Sequence, residues 1–401
     1  MIDSQEQLNG TPPQTAADAL ERAVAIARRL PERWTATEQL RRVPDDTMAD
    51  LRASGLLRIN QPARFGGPEL GVEAVLDVGS ALAAGDVSVA WAYVILASHE
   101  WIIGLFPDEA QQDIWSEDPT RLMSSAFAPS KATVTRVDGG WRLQDGTWPW
   151  SSGSDHADWA MVGFRVPPAE AGGPAPVRWA VVPRGEYTVG NDWMTVAAHG
   201  TGSNTLTIVD AFVPDHRTLD PILALMGLTP GAEVNTSPLF RSSFNSLAVY
   251  LAAPILGGAR AAVKHFTTYM ESKQLIYTGQ RVGTEGPMLV HLGEVAAKVG
   301  VAETVLRATA RQIDHPSGPP DPSSAFAFGR DCTFAVRLCA DAVDETMRYS
   351  GASAIFEGHQ ANKWWRDVRA LSAHQGFNTD MAYGNWGRFV MGMPPAPGPF
   401  G

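Results

Sequence analysis

The hydrophobic period changes twice along this chain, and that limits its possible folds more than any single motif does. From residue 15 to about 120, apolar residues recur every three or four positions. "DALERAVAIARRL" is amphipathic, and Asp45-Asp46 with "TMADLRASGLL" reads as a capped helix ending near Gly55. From about 121 to 215 the period drops towards two. "ATVTRV", "WAMVGFRV", "RWAVVP" and "TLTIVDAFVP" read as strands separated by turns such as "VDGG" and "PPAEAGGPAP". Beyond residue 235 the helical period returns. Val295, Val299, Ala302, Leu306, Ala310 and Ile313 step by three and four, with Lys298, Glu303, Arg307 and Arg311 on the other side. The loop "HPSGPPDPSS" (315–324) then divides two long helices. Helices and strands segregated in this way indicate an α+β fold rather than alternating α/β.

Composition removes several functions. A net charge of −11 leaves no basic surface for nucleic acid. The longest apolar runs, such as "VSVAWAYVILA" (87–97), read as too short to span a bilayer, and "MIDSQEQLNGTPPQ" has no secretion-signal pattern. Cys332 and Cys339, seven residues apart on one helix face, read as buried hydrophobes in a reducing compartment, hence the cytoplasm. Motif chemistry is mostly negative. There is no GxGxxG for a nicotinamide nucleotide, no P-loop and no GxSxG elbow. No close ligand pair occurs among nine histidines, so no metal site is expected.

Three groups of polar residues remain. "GGWRLQDGTWPWSSG" reads as two strands about a tight Asp145-Gly146 turn, delivering Ser151 and Ser152 to a bend where Gly153 permits close backbone approach. A flavin ring, flat and polar along one edge, matches hydroxyls beside tryptophan; a solvated strand-end turn is the alternative. In "WWRDVRALSAHQGFNTD", a helix reaching His374 puts Asp367 and His374 on one face, as a general base needs. The competing reading is a helix-end histidine held as a cation by the dipole. His99, alone on the apolar helix "AWAYVILASHEW", reads either as a satisfied core residue or as a site residue.

The ordered segments "VPDDTMADLRASGLLRINQPARFGGPEL", "GDVSVAW", "GTWPWSSGSDHADW", "WMTVAAHGTGSNTLTIVDAFVP", "APILGGARAA" and "WWRDVRALSAH" resemble the acyl-CoA dehydrogenase fold from about residue 40 to 390. More closely they resemble its flavin-dependent monooxygenase branch, the two-component hydroxylases of phenols and polycyclic substrates. The dehydrogenase branch commonly carries a glutamate base before a glycine after the Arg-Asp pair. Here that position is Gln375, whose amide cannot accept a proton at neutral pH, and His374 precedes it.

The resemblance implies an N-terminal helical domain (15–120), a middle β-barrel-like domain (121–230) and a C-terminal four-helix bundle (231–401), assembled as a homotetramer. It implies reduced flavin, FMN or FAD, supplied by a separate reductase, and O2 that forms a C4a-hydroperoxide and oxidises an aromatic small molecule. Ser151 and His374 would be catalytic, with His99 on the substrate side beside Trp148. Trp150, Ser151, Ser152, Phe127, Ala128 and Arg366 would hold the flavin, and Trp148, Trp150 and Trp159 would wall it. N-hydroxylation, an acyl-CoA dehydrogenase-like oxidation and a non-catalytic flavin-binding oligomer stay open as alternatives.

Overall fold

A computed structural model describes residues 10–168, 175–274, 278–284, 286–318, 322–394 and 396. Parts of the expected 167–176 turn and 315–324 loop, most of the closing "PPAPGPFG" and residues 1–9 lie outside the described residues. Among the described residues six α-helices come first: α1 (Ala16–Ala27), α2 (Trp34–Leu40), α3 (Asp45–Ala53), α4 (Val72–Gly85), α5 (Val87–Ile103) and α6 (Asp108–Trp115). The strands are β1 (Met123–Pro129), β2 (Thr133–Val137), β3 (Gly140–Ser151), β4 (Trp159–Arg165), β5 (Val177–Pro183), β6 (Thr188–Val189), β7 (Asn204–Pro214) and β8 (Thr218–Leu219). Two short helices, α7 (Pro221–Met226) and α8 (Gly231–Val234), lead to α9 (Leu247–Ser272), α10 (Gly286–Asp314), α11 (Pro322–Ser350), α12 (Gln360–Ser372) and α13 (Thr379–Val390).

The strands form two four-stranded sheets, β1-β4-β5-β8 and β2-β3-β7-β6. Ala160, Val162, Phe164, Ala180 and Val182 of the first sheet pack against Leu143, Trp148, Leu206 and Ile208 of the second. The alternate residues Trp159, Met161, Trp179 and Val181 turn the other way and join the helical core. The first sheet is therefore buried on both faces, which is why "WAMVGF" and "RWAVV" read as nearly unbroken apolar runs. Strand β1, "MSSAFAP", escaped the sequence reading because it shows neither clear alternation nor β-branched residues.

The expected hairpin at Asp145-Gly146 does not form. Residues 140–148 continue as one strand along β7, with Gln144 opposite Asp210 and Gly146 opposite Ile208. Asp145 takes the left-handed conformation (φ 52°) without reversing the chain. Gly146 serves packing instead, since a Cβ there would lie 2.3 Å from the Trp148 ring.

The N- and C-terminal helices share one core around α9, which packs against α4, α5, α10, α11 and α12. The motif "APILGG" explains the fit. A Cβ on Gly257 would meet the Ser80 carbonyl, and one on Gly258 would meet Val87 and Val368, so α4, α5 and α12 approach α9 at backbone distance. Phe244–Ser272 is long and apolar enough to cross a membrane by length and composition, with a mean hydropathy of 1.5, which corrects the view that every apolar run is too short. Since 78% of that window is buried by its neighbours, α9 is a core helix. The six stepped residues of α10 are all buried, as their period requires, and Cys332 and Cys339 are buried free thiols.

Candidate functional site

The serine turn is built by strand irregularity. Trp148 pairs with Leu206 but Ser151 pairs with Asn204, so Pro149 and Trp150 oppose a single residue and the strand bulges. Trp150 takes φ 67° and leaves its indole 71% exposed, while Ser151 turns fully inward. The Ser151 hydroxyl is buried and has no hydrogen-bond partner. Gly153 follows at φ 71°, and its N–H donates to the Thr201 carbonyl at 2.8 Å. A second bulge lies in β1, where Ala126 pairs with Val162 and Pro129 with Gly163, pushing Phe127 and Ala128 out of the ladder. Bulges concentrate beside active sites because they re-aim side chains without ending a strand.

Helix α5 lies beneath the turn. The Trp91 indole N–H donates to Ser152 Oγ at 3.2 Å, and Ser152 continues to Ser203 Oγ (2.8 Å) and on to Thr201 Oγ1 (2.7 Å). The Trp91 ring also meets His374, ring centroids 5.2 Å apart and planes inclined at 63°. Trp91 thus joins the serine turn of the β segment to the histidine of the C-terminal helices. Nothing in the sequence singles out Trp91, Thr201 or Ser203, because a tryptophan in an apolar helix and hydroxyls beside glycine are ordinary.

His374 differs from expectation in one respect. Helix α12 ends at Ser372, so His374 lies beyond it in extended conformation and off the face that carries Asp367. The Asp367–His374 pair does not form. Asp367 bonds instead to the Ala198 N–H and Lys363. The His374 ring is reachable by solvent, yet protein crowds it closely enough that lost hydration lowers its pKa to about 4. That lowering favours the neutral ring over the helix-end cation. Its Nδ1 accepts the Gly376 N–H at 3.1 Å. Because that backbone group only donates, the neutral imidazole carries its proton on Nε2.

His99 is almost wholly buried on α5, where lost hydration lowers its pKa to about 3. Its Nε2 meets Ser125 Oγ at 2.7 Å. The Ser98 hydroxyl takes the nearby Ile95 carbonyl, and His99 Nδ1 stays outside hydrogen-bond geometry. Its ring faces Phe127 at 6.2 Å, the first member of an aromatic cluster with Trp179 (5.1 Å) and Phe244 (5.2 Å).

Three expected site residues make structural contacts here. Trp148 is fully enclosed between the sheets and donates its indole N–H to the Gly163 carbonyl at 2.7 Å, so it is core and has no surface to offer a substrate. Trp159 also packs into the helical core, with Arg217 over its ring. Arg366 is a strut: Nη2 donates to Glu38 at 2.8 Å and Nη1 to the Val196 carbonyl at 2.9 Å. Gln375 is exposed beside Met381.

The buried unpaired hydroxyl of Ser151 and the exposed indole of Trp150 fit a planar heterocycle with a polar edge, which is what a flavin presents. Comparison with known proteins agrees. Residues 249–379 match the acyl-CoA dehydrogenase C-terminal domain family. The chain is 33% identical over 394 residues to a flavin-dependent monooxygenase oxygenase subunit, HsaA, of Rhodococcus jostii, covering 94% of this chain and 98% of that protein. It is 30% identical to the oxygenase component of p-hydroxyphenylacetate 3-hydroxylase of Acinetobacter baumannii, covering 96% and 92%. Among solved structures, the HsaA monooxygenase of M. tuberculosis superposes with a TM-score of 0.89 at 28% identity, covering 95% of this chain and 99% of that one. XiaF from Streptomyces, solved with FADH2, superposes at 0.87 with 25% identity, covering 96% and 97%. The chain is therefore a flavin-dependent monooxygenase, a member of the oxygenase-component family built on the acyl-CoA dehydrogenase fold.

Proposed function

We propose that this chain hydroxylates a ring carbon of a small phenolic or polycyclic aromatic molecule, receiving its reduced flavin from a separate reductase. The observation that carries the reading is the buried, unpartnered Ser151 hydroxyl at a glycine turn, linked through Ser152 and Trp91 to a neutral histidine. Relatives named as p-hydroxyphenylacetate and resorcinol hydroxylases support carbon over nitrogen as the target. Gln375 counts against acyl-CoA oxidation.

Bound reduced flavin supplies the chemistry, activating O2 and delivering one oxygen atom. The protein's share is binding, orientation and exclusion of water. Ser151 would offer its hydroxyl to the flavin, and the Ser152–Ser203–Thr201 chain fixes the turn that carries it. Trp150, with its exposed indole, and Phe127 and Ala128 of the second bulge would help hold the ring. His374, neutral with its proton on Nε2, would donate a hydrogen bond that holds the oxygen being transferred, rather than remove a phenol proton. His99, neutral and backed by Ser125, is assigned to the substrate side against Phe127.

The reading extends to three domains divided at 120/121 and 230/231, a cytoplasmic setting suggested by free buried thiols, and a homotetramer. Adjacent Ile355 and Phe356, both exposed, offer an apolar contact for that assembly. The test mixes the purified chain with a flavin reductase, NADH, FMN or FAD, and a panel of phenols and fused aromatics under oxygen. Hydroxylated product that depends on both flavin and O2 is expected. Absence of product together with absence of reduced-flavin binding would refute the reading.

A further inference from the structure

A cluster of buried charges lies between α12, α5 and the loop 193–203, outside the proposed flavin contacts. Lys363 Nζ stands 3.1 Å from Asp367, 3.3 Å from Asp86 and 3.7 Å from Glu38. Lys363, Asp86 and Asp367 are all buried. Burial works against the lysine's charge, but Asp367, Asp86 and Glu38 outweigh it and raise its pKa above the usual value. Such a cluster stabilises little compared with apolar residues of the same shape, because desolvating the charges offsets their attraction. Its use is then more readily found in what it holds.

It holds one loop at three peptide groups. Asp367 Oδ1 accepts the Ala198 N–H at 2.7 Å. Asp86 accepts the Ser88 hydroxyl at 2.8 Å, and Ser88 Oγ in turn accepts the Gly200 N–H at 3.2 Å. Arg366, paired with Glu38, takes the Val196 carbonyl. Between these anchors Ala198 adopts φ 55°, a left-handed conformation that a non-glycine residue keeps only where its surroundings impose it. The Ala198 carbonyl then accepts the Thr201 N–H, and the Thr201 carbonyl accepts the Gly153 N–H. Ser203, two residues on, holds Ser152. The helix that supplies Asp367 also leads directly to His374.

We infer that Asp367 is a positioning residue. Through Ala198 it sets the loop that shapes the Ser151–Gly153 turn, and through α12 it registers that turn against His374. This rests on the serine turn being the flavin site. The experiment measures binding of reduced FMN and reduced FAD under anaerobic titration for Asp367→Asn, Ser203→Ala, their double variant and Ser151→Ala. Replacing a charge-assisted bond by a neutral one is expected to raise Kd roughly tenfold in Asp367→Asn. The double variant should be little worse than Asp367→Asn alone, because both cuts fall on one chain of contacts. Should Asp367→Asn fail to fold, Ser88→Ala severs the second anchor more gently and should raise Kd roughly threefold. Ser151→Ala weakening binding while Asp367→Asn or its substitute Ser88→Ala does not, or full additivity in the double variant, would overturn the positioning role. Ser151→Ala leaving affinity unchanged would overturn the site itself.

Discussion

Replacing Ser151 by alanine should move stability and flavin affinity in opposite directions. In the flavin-free chain the hydroxyl is fully buried without a partner. An unsatisfied buried polar group costs about 1–3 kcal/mol, so its removal should raise unfolding stability by about 1 kcal/mol once the small loss of packing is allowed for. In a chain of this length that corresponds to a rise in Tm of roughly 1–2 °C. With reduced flavin bound, the same hydroxyl makes one hydrogen bond worth about 1 kcal/mol, so its loss should raise Kd roughly fivefold. Calorimetry of the flavin-free protein and anaerobic titration with reduced FMN and FAD measure the two effects. An ordinary core serine gives the other pattern, with lower Tm and unchanged affinity. That outcome would refute the argument that the unpaired hydroxyl belongs to a ligand site.

His374→Ala should leave reduced-flavin affinity within about twofold while lowering product per flavin oxidised roughly a hundred- to a thousandfold, the usual range for removing one stabilising hydrogen-bond donor. The missing oxygen should appear as H2O2, and hydroxylation equal to the parent at equal flavin supply would remove the assigned role. Trp148→Phe should cost about 1–3 kcal/mol by leaving the Gly163 carbonyl unpaired, with no change in flavin affinity; weakened flavin binding without a stability loss would return Trp148 to the site. Acid sensitivity follows from two desolvated histidines, crowded His374 and buried His99, whose folded pKa values of about 4 and about 3 lie below the ordinary 6.5. As pH falls below 6.5 the unfolded chain takes up protons that the folded chain refuses. The stability they contribute is therefore full above about pH 6.5 and is lost progressively down to pH 3–4. Denaturant titrations of the parent and of His99→Asn across that range should show a shallower acid loss in the variant; identical slopes would contradict the neutral buried imidazole.

The sequence by itself determined the order of the fold. Period-3.6 and period-2 patterns are local consequences of which face of an element is buried, so the helical, β and helical zones and the core face of α10 could be read directly. It also placed Ser151, Ser152 and His374 together as candidates, because their ordered motifs resemble one family. The tertiary structure decided the partners. Whether Trp148 faces a ligand or the interior depends on the second sheet, and whether Asp367 meets His374 depends on where α12 stops and on the Ala198 N–H that arrives from another segment. The Asp145-Gly146 pair is a turn signal by local preference. The long ladder with β7 overrides it, because continuing the pairing and burying Trp148 against Gly146 outweigh one strained φ. Trp91, Thr201 and Ser203 lie in segments that carry the resemblance but have no signal of their own, since hydrogen bonds between residues 51 to 61 positions apart become legible only when the chain has folded.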